Sequence, residues 1–471
     1  MTTLSPSTST SAAARKRPLA LFGLSLGYFM VLLDTTIVTV ALPAIHTDMG
    51  GPFTSLEWVV NAYTVLFASL LLSMGALSDR YGAKRIFGGG LVLFGAASAL
   101  SSAAPTLGAL IVLRGILGIG GAAMTSASLT LISSLYEDPR ERTKALGVFA
   151  AVSGIALAAG PVLGGLLSDG VGWRSIFIVN IPIAVLSLIL LVSHARETDR
   201  NKERSLDLAG QLTATLFFLA LTFALVEAGS LGWSSPFVTS AAGIAAVSLF
   251  LFAVVEARGK SPMLPVQLLR ERRISAGLAA GLAVNFGLSG CLFVLTFFFQ
   301  QVLGYSALLT GLAFLPLTLP MMVNPMLTSR IVNRVGVRLP LIGGFFVSAV
   351  GTALLVVASR ASYWLLFVGL FLIGYGLSLT IPSLVTTVVT SSPPGQAGVV
   401  SGSLNAIRQL GAALGVAVLS LYSNGGAGAE TAAATSASGV TAALLVSTFV
   451  LVGGGVMALL FIGRQPEKKQ A

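Results

Sequence analysis

Residues 75–85, Gly-Ala-Leu-Ser-Asp-Arg-Tyr-Gly-Ala-Lys-Arg, occur a second time in the chain in altered form. Their counterpart is 329–338, Ser-Arg-Ile-Val-Asn-Arg-Val-Gly-Val-Arg, 254 positions further on (79 to 333). Both copies place a polar residue, a cation and a glycine at the same spacing between two long apolar segments. A repeat that recurs with its flanking segments indicates that the chain is built from two related halves.

The composition identifies the environment of these segments. Of the 471 residues, 55% are hydrophobic and only 10% are charged, and the mean hydropathy is +0.91. In a typical soluble domain, about a quarter of all residues are charged. So few charges cannot cover a water-exposed surface, and most of the outer face must therefore contact lipid. Soluble-enzyme functions are excluded for the same reason. The 53 glycines agree with this, because small residues allow close helix packing in lipid.

The sequence predicts an all-α polytopic membrane protein with fourteen spans, since a span needs about 20 mostly apolar residues. We place the spans near 18–43, 57–77, 86–104, 107–135, 145–168, 174–193, 207–228, 237–257, 275–299, 308–328, 339–358, 363–391, 398–420 and 438–462. Two six-helix pseudo-repeats plus two extra transmembrane helices explain both the count and the repeat offset.

The predicted organisation has five parts. We expect a disordered cytoplasmic tail (1–17), an N-terminal six-helix half (18–193), a two-helix linker with cytoplasmic loops (194–273), a C-terminal six-helix half (274–462) and a cytoplasmic tail (463–471). The Gly/Ala/Ser/Thr-rich stretch 421–437 is predicted to be the longest outer loop.

The basic residues predict the orientation. Of the 28 Lys and Arg residues, 24 fall in the tails and loops of one side, two lie on the other side, and two lie within spans. This is the positive-inside bias, which predicts cytoplasmic termini in a bacterial inner or plasma membrane. The net charge of +11 therefore reflects topology and gives no reason to expect a nucleic-acid partner.

Cysteine and histidine offer little chemistry. Cys291 is the only cysteine, so an intrachain disulfide is impossible, and it lies in an apolar segment. His46 and His194 fall at span ends without metal-ligand spacing. We expect no metal site and no cofactor.

Two opposite charges lie within spans at similar depth. Asp34 follows about 16 residues of the first span, roughly 24 Å from the cytoplasmic face, and Arg114 lies about seven residues into the fourth, roughly 10 Å from the outer face. A charge in lipid costs about 3 kcal/mol or more, so a pair is expected to have a purpose. A carboxylate that alternates between an arginine and a proton can couple proton movement to conformation, whereas a static pair would only fix helix packing.

Other charged residues within or near the spans are less decisive. Arg408 lies near the middle of the thirteenth span, and no acidic residue is available in spans nine to fourteen. A packing role and a role in proton or anion handling remain open for it. Glu57, Glu227 and Glu256 are expected to reach the membrane interface, and Glu227 is retained as a further candidate site residue.

Two glycine-containing motifs predict moving parts. In the 75–85 repeat, Gly75, Asp79, Arg80, Gly82 and Lys84 are expected to form a gating loop at a cytoplasmic turn, where a carboxylate near a helix N-terminus and cations can latch one state.

In the fifth span, Gly154, Gly160, Pro161, Gly164 and Gly165 combine small residues with a helix-disrupting proline. They predict a hinge or a close helix–helix seam, although a plain packing kink is also possible.

These motifs together resemble the major facilitator superfamily, and within it the fourteen-span drug–proton antiporters of the multidrug efflux type. The residues 33–43, 75–85, 114–123 and 154–165 are similar to its first-span, cytoplasmic-loop, fourth-span and antiporter motifs, and weaker matches lie at 58–63, 173–182 and 408–411. The resemblance implies proton coupling by Asp34 and Arg114. It also implies a central cavity lined by spans one, four, nine and twelve.

The expected activity is proton-driven export of lipophilic small molecules, such as drugs or antibiotics, by alternating access. Candidate substrate contacts are Asn61, Tyr63, Asn285, Phe293 and Tyr375. In the family that the chain resembles, some exporters of dications carry an acidic residue on the tenth span. This chain has Asn324 and no carboxylate there, so the resemblance implies that dications are disfavoured. Expected partners are substrate, protons and membrane lipid, and the chain is expected to be a monomer. The alternatives are an exporter of one endogenous metabolite, a non-transporting ligand sensor and an uncoupled facilitator.

Overall fold

The computed structural model describes residues 9–201, 207–259, 263, 266–358, 363–393, 396–423 and 437–462. Within these ranges the chain is helical almost throughout and contains no strand. The first nine helices are α1 (Ser9–Met49), α2 (Phe53–Tyr81), α3 (Ala83–Ser102), α4 (Leu107–Leu135), α5 (Pro139–Gly170), α6 (Ser175–Ile178), α7 (Asn180–His194), α8 (Leu208–Leu231) and α9 (Pro236–Arg258).

The remaining helices are α10 (Val266–Arg270), α11 (Arg272–Phe297), α12 (Ala307–Ala313), α13 (Leu315–Val335), α14 (Arg338–Ala358), α15 (Tyr363–Thr390), α16 (Ala397–Ser423) and α17 (Ala437–Phe461). A π-helical turn, Phe298–Val302, continues α11. Helices dominate because lipid offers no hydrogen-bond partners, so each span must satisfy its backbone internally.

The span count agrees with the prediction from sequence. Among the described residues, 13 helices are long and apolar enough to cross a membrane, and α12 with the first part of α13 forms a fourteenth span if this pair, bent by 46°, is counted as one. The all-α polytopic fold class is confirmed.

The predicted tails and the predicted outer loop are described only in part. Helix α1 begins at Ser9, within the segment 1–17 that was expected to be a disordered tail. Residues 1–8, most of the expected outer loop (424–436) and the tail 463–471 lie outside the described residues.

The helices form two groups joined by a helix pair. In the N-terminal half, defined as α1–α7, α1 packs on α5 and α4 packs on both α2 and α3. In the C-terminal half, defined as α11–α17, α11 packs on α16 and α15 packs on both α13 and α14. Helices α8 and α9 pack on each other, and α8 also contacts α2 and α16. Thus α2, α8 and α16 meet where the halves join.

The repeated motif forms the same tight turn in both halves. Gly82, between α2 and α3, has φ 102°, and Gly336, between α13 and α14, has φ 80°. Side chains disfavour this left-handed region, so glycine suits both turns. We call the side of the membrane that contains these turns the basic side, and the other the opposite side.

The halves touch directly at the opposite side. A side chain at Gly165 on α5 would clash with the backbone of Ala307, and one at Gly311 on α12 would clash with the backbone of Pro161. Asp169 accepts hydrogen bonds from the backbone N–H groups of Ala307 (3.2 Å) and Leu308 (2.8 Å). A carboxylate at the first turn of α12 satisfies N–H groups that have no partner within the helix. The α5–α12 contact therefore joins the halves by close backbone packing and a polar cap.

Candidate functional site

The opposite charges expected within the N-terminal half form an ion pair. Asp34 on α1 accepts a hydrogen bond from the guanidinium group of Arg114 on α4, and the two side chains are 0% and 1% exposed. Such a pair is costly to desolvate, and removing one partner would leave an uncompensated charge. The structure therefore brings together the two residues that sequence depth placed near each other.

Arg114 has two further partners, both on α2. Its Nε donates to the carbonyl oxygen of Val59 (2.9 Å), and its guanidinium carbon lies 4.6 Å from the centre of the Tyr63 ring. The Tyr63 hydroxyl donates to the carbonyl of Val31 on α1 (3.1 Å). An aromatic face stabilises a nearby cation, so Arg114 keeps favourable contacts that do not depend on Asp34.

Asp34 also has a second neighbour, which the sequence did not reveal. The Asn180 amide at the start of α7 lies 3.5 Å from Asp34 Oδ1 and donates to Ser98 Oγ on α3 (3.0 Å). Helices α1, α4 and α7 thus meet at Asp34, and α3 contributes Ser98, which contacts Asn180. Asn180 is an ordinary polar residue in an apolar segment, and only the fold brings it to Asp34.

The antiporter-motif glycines of α5 lie against two partners. Side chains at Gly160 and Gly164 would clash with Thr36 and with the Ile37 backbone on α1, close in sequence to Asp34. On the side of the C-terminal half, Gly165 faces α12 and Gly154 faces Met322 on α13. Pro161 lies within α5, and its carbonyl is the atom that α12 approaches. Helix α5 is therefore packed between the Asp34 helix and the C-terminal half.

The expected gating-loop residues lie at the basic-side turn, where the loop docks onto residues 192–201. The Lys84 backbone N–H donates to Glu197 Oε1 (2.9 Å), and its ammonium group donates to the carbonyl of Ala195 (2.7 Å). The backbone carbonyl of Asp79 accepts from the N–H of Asn201 (2.9 Å).

Arg80 and Gly75, which also belong to this motif, have fewer tight contacts. Arg80 lies 5.6 Å from the Tyr81 ring centre, and a side chain at Gly75 would meet nothing within 4 Å among the described atoms. The gating role of the whole motif remains a prediction.

Arg408 is half-buried and has neutral partners. Its Nε donates to Asn285 Oδ1 on α11 (3.2 Å), and its NH1 group lies 3.5 Å from Asn405 Oδ1. Helix α16, which carries Arg408, packs on α2 of the N-terminal half. Arg408 thus lies between the halves, and Asn285 is the one candidate substrate residue that contacts it.

The other candidate substrate residues lie in different parts of the structure. Asn61 and Tyr63 are buried on α2, and Phe293 is fully buried in an aromatic cluster with Phe53 (5.8 Å). Tyr375 lines a separate apolar groove of about 610 Å³ between α13 and α15. Their role as substrate contacts remains a prediction, because side-chain direction depends on helix rotation that the sequence does not give.

Two of the three glutamates that were expected to reach the membrane interface are buried within the protein. Glu57 and Glu256 are only 2% and 3% exposed, and Glu227 is half-buried. Glu256 accepts a hydrogen bond from the Met263 backbone (3.2 Å), which explains how it stays inside. Glu227 accepts from the Trp58 indole (3.1 Å). The helix pair α8–α9 covers positions that the sequence placed at the lipid boundary.

The amino-acid sequence matches a known protein family. A family model described as the Major Facilitator Superfamily matches residues 24–416. A puromycin resistance protein of Streptomyces alboniger is 36% identical over 453 residues, which is 93% of this chain and 90% of that protein. A multidrug resistance protein of Mycobacterium tuberculosis (strain CDC 1551 / Oshkosh) is 35% identical over 405 residues, which is 86% of this chain and 75% of that protein.

A solved structure shares the fold. The human organic anion transporter MFSD10 (TETRAN) superposes with a TM-score of 0.64, covers 94% of this chain and 99% of its own, and is 20% identical. Since that identity is low, it supports the architecture alone. Together with the family match over most of the sequence, it shows that this multi-pass membrane protein belongs to the Major Facilitator Superfamily.

Proposed function

We propose that the protein is a proton-coupled antiporter that exports lipophilic small molecules, including antibiotics, by alternating access of its two halves. Relatives named for resistance to puromycin, to methylenomycin A and to multiple drugs support this substrate class. The positive-inside bias supports a cytoplasmic basic side. Within the family, the fourteen-span drug–proton antiporter type is the one that the motifs favour.

The observation that carries the proposal is the buried Asp34–Arg114 pair. When Asp34 binds a proton, its carboxyl group becomes neutral and the ionic attraction to Arg114 is lost. Arg114 can remain in place because the Val59 carbonyl and the Tyr63 ring still hold it. Asp34 can therefore load and release a proton without expelling a charged arginine into lipid.

The pair is connected to the contact between the halves through packed backbone. Thr36 and Ile37 follow Asp34 on α1 and lie against glycines of α5, and α5 lies against α12 of the C-terminal half. Because no side chain intervenes at these glycines, a shift of α1 must be accommodated by α5. We infer that protonation of Asp34 acts on the α5–α12 contact by this route.

The test uses vesicles that contain the purified protein, with an acidic interior and puromycin or a lipophilic fluorescent dye outside. Wild type should accumulate the probe only while the pH gradient lasts. In Asp34→Asn, gradient-driven accumulation of the probe should fall roughly 10-fold or more. A loss of about 1.4 kcal/mol in coupling free energy already changes the corresponding equilibrium constant tenfold.

The matched control is Asp48→Asn on the same helix. Asp48 pairs with Arg174 (2.5 Å) at an exposed position, so this variant should transport like wild type. Equal accumulation by wild type and Asp34→Asn, with or without the gradient, would show that the pair only fixes packing and that the coupling proposal is wrong.

A further inference from the structure

Helix α2 has a second polar face, on the side away from the Asp34–Arg114 pair. Glu57 and Asn61 lie one turn apart on this face, and they are 2% and 0% exposed. Val59 and Tyr63, which contact Arg114, lie on the opposite face of the same helix. The Glu57 face meets α8 and α16, where the linker pair and the C-terminal half join the N-terminal half.

Several polar atoms on this face have no hydrogen-bond partner among the described residues. They are Glu57 Oε2 and both amide atoms of Asn61. Each buried polar atom without a partner costs about 1–3 kcal/mol, and folded proteins keep few of them. Three such atoms on adjacent turns of one face indicate that something small and polar is bound there.

The Glu57 carboxyl group lies among polar groups of two other helices. It forms a hydrogen bond with Ser420 on α16 and lies near Glu227 on α8.

Glu227 is held by neighbouring polar groups. The Trp58 indole donates to its Oε1 (3.1 Å), and the Ser230 hydroxyl lies 3.2 Å from its Oε2. Two adjacent carboxylates resist carrying charge together, so one of them retains a proton.

No described cation neutralises this pair. On α4, Arg114 is on the other face of α2 and is paired with Asp34 of α1. On α16, Tyr422 is exposed beyond Ser420, and Arg408 lies 12 positions earlier, roughly 18 Å along the helix. The groups that remain beside Glu57 are Glu227, the Ser420 hydroxyl and the Asn61 amide.

We propose that Glu57 and Glu227 form a second proton-binding site, distinct from Asp34, where α2, α8 and α16 meet. The two carboxyl groups share one proton, and the polar space beside Asn61 accommodates water that connects the site. The extra helix α8 thereby contributes a functional residue. The inference deepens the proposed function, and it rests on that function only for the claim that this second proton takes part in transport.

The first experiment detects the proton without transport. Infrared spectra of purified wild-type protein should show the carbonyl-stretch band of a buried carboxylic acid. This band should appear in the difference spectrum of wild type minus Glu57→Gln, because the variant removes it. Asp34→Asn should leave this band in place. Glu256→Gln is the matched control, because it changes another buried glutamate on the neighbouring α9. An unchanged spectrum in folded Glu57→Gln would show that Glu57 is ionised and would overturn the proposal.

A second variant keeps the test decisive if Glu57→Gln does not fold. Ser420→Ala removes the hydrogen-bond partner of the Glu57 carboxyl group and should shift the frequency of the same band. The absence of both the band and the shift would also overturn the proposal. These spectra do not require substrate, so the site is tested even if the vesicles show no gradient-driven transport.

In vesicles that do transport, protons moved per probe molecule should fall by roughly half in Glu57→Gln, because one of two protonation sites is gone. An unchanged ratio would contradict participation of the second site in coupling.

Discussion

The two halves share their packing and differ in their charges. In the N-terminal half, a side chain at Gly90 on α3 would lie 2.9 Å from the carbonyl oxygen of Gly120 on α4. In the C-terminal half, a side chain at Gly344 on α14 would lie 2.5 Å from the carbonyl oxygen of Gly376 on α15. The repeat thus uses glycine pairs to bring equivalent helices into backbone contact.

The same correspondence shows where the charges diverge. An offset of 256 positions (120 to 376) relates α4 to α15 and places Leu370 where the N-terminal half has Arg114. Leu370 is fully buried in the apolar core. The C-terminal half instead has Arg408 on α16, which has amide partners and no carboxylate partner among the described residues. Packing follows the repeat, whereas the ionic chemistry belongs to one half, so we expect the two halves to respond differently to mutation.

The largest effect is expected when the N-terminal half is made to copy the C-terminal half. Arg114→Leu should abolish gradient-driven transport and lower stability by about 3–5 kcal/mol, because it leaves Asp34 buried without its cation. The loss can be measured as a fall in Tm of the detergent-solubilised protein, followed by size-exclusion chromatography after heating.

The control is the double variant Asp34→Leu/Arg114→Leu. Replacing both charges by apolar groups should recover much of the lost Tm without restoring transport, because buried ion pairs are often no more stable than apolar substitutes. If Arg114→Leu alone keeps the wild-type Tm, water reaches the ion pair despite its burial. The difference between Arg114 and Leu370 then has no effect on stability.

The second prediction tests the shared packing. Gly90→Val and Gly344→Val should each lower stability by about 1–3 kcal/mol, since each forces a side chain into backbone. The repeat supplies matched controls one residue earlier, because side chains at Gly89 and Gly343 would meet nothing within 4 Å. Gly89→Val and Gly343→Val should therefore stay near the wild-type Tm. Equal losses at all four positions would mean that helix propensity, and not the close contact, sets the cost.

Sequence reasoning succeeded where local composition decides the structure. The fourteen spans, the internal repeat and the all-α class follow from apolar length and from motif spacing. The contact of Asp34 with Arg114 followed from depth, because two opposite charges in lipid at the same level have a strong reason to meet.

Sequence reasoning failed where helix rotation or the position of a distant helix decides. Glu57 was assigned to the interface because it lies near a span end, but α8 and α16 cover it. Asn180 beside Asp34 and the Asp169 cap on α12 depend on which helices become neighbours. A pattern of apolar residues gives the existence of a span and leaves its partners open.

The smallest effect is expected at the cation of the C-terminal half. Asn285→Leu removes the closer acceptor of Arg408 and should lower stability by about 1 kcal/mol, because a charged group loses one hydrogen bond but is only half-buried. Asn405→Leu, which removes the longer 3.5 Å contact, should cost less. The same Tm assay measures both variants beside Arg114→Leu. If Asn285→Leu lowers stability as much as Arg114→Leu, Arg408 depends on its partner as strongly as Asp34 depends on Arg114. The halves then differ in which charged group they hold and not in how strongly that group depends on its partner.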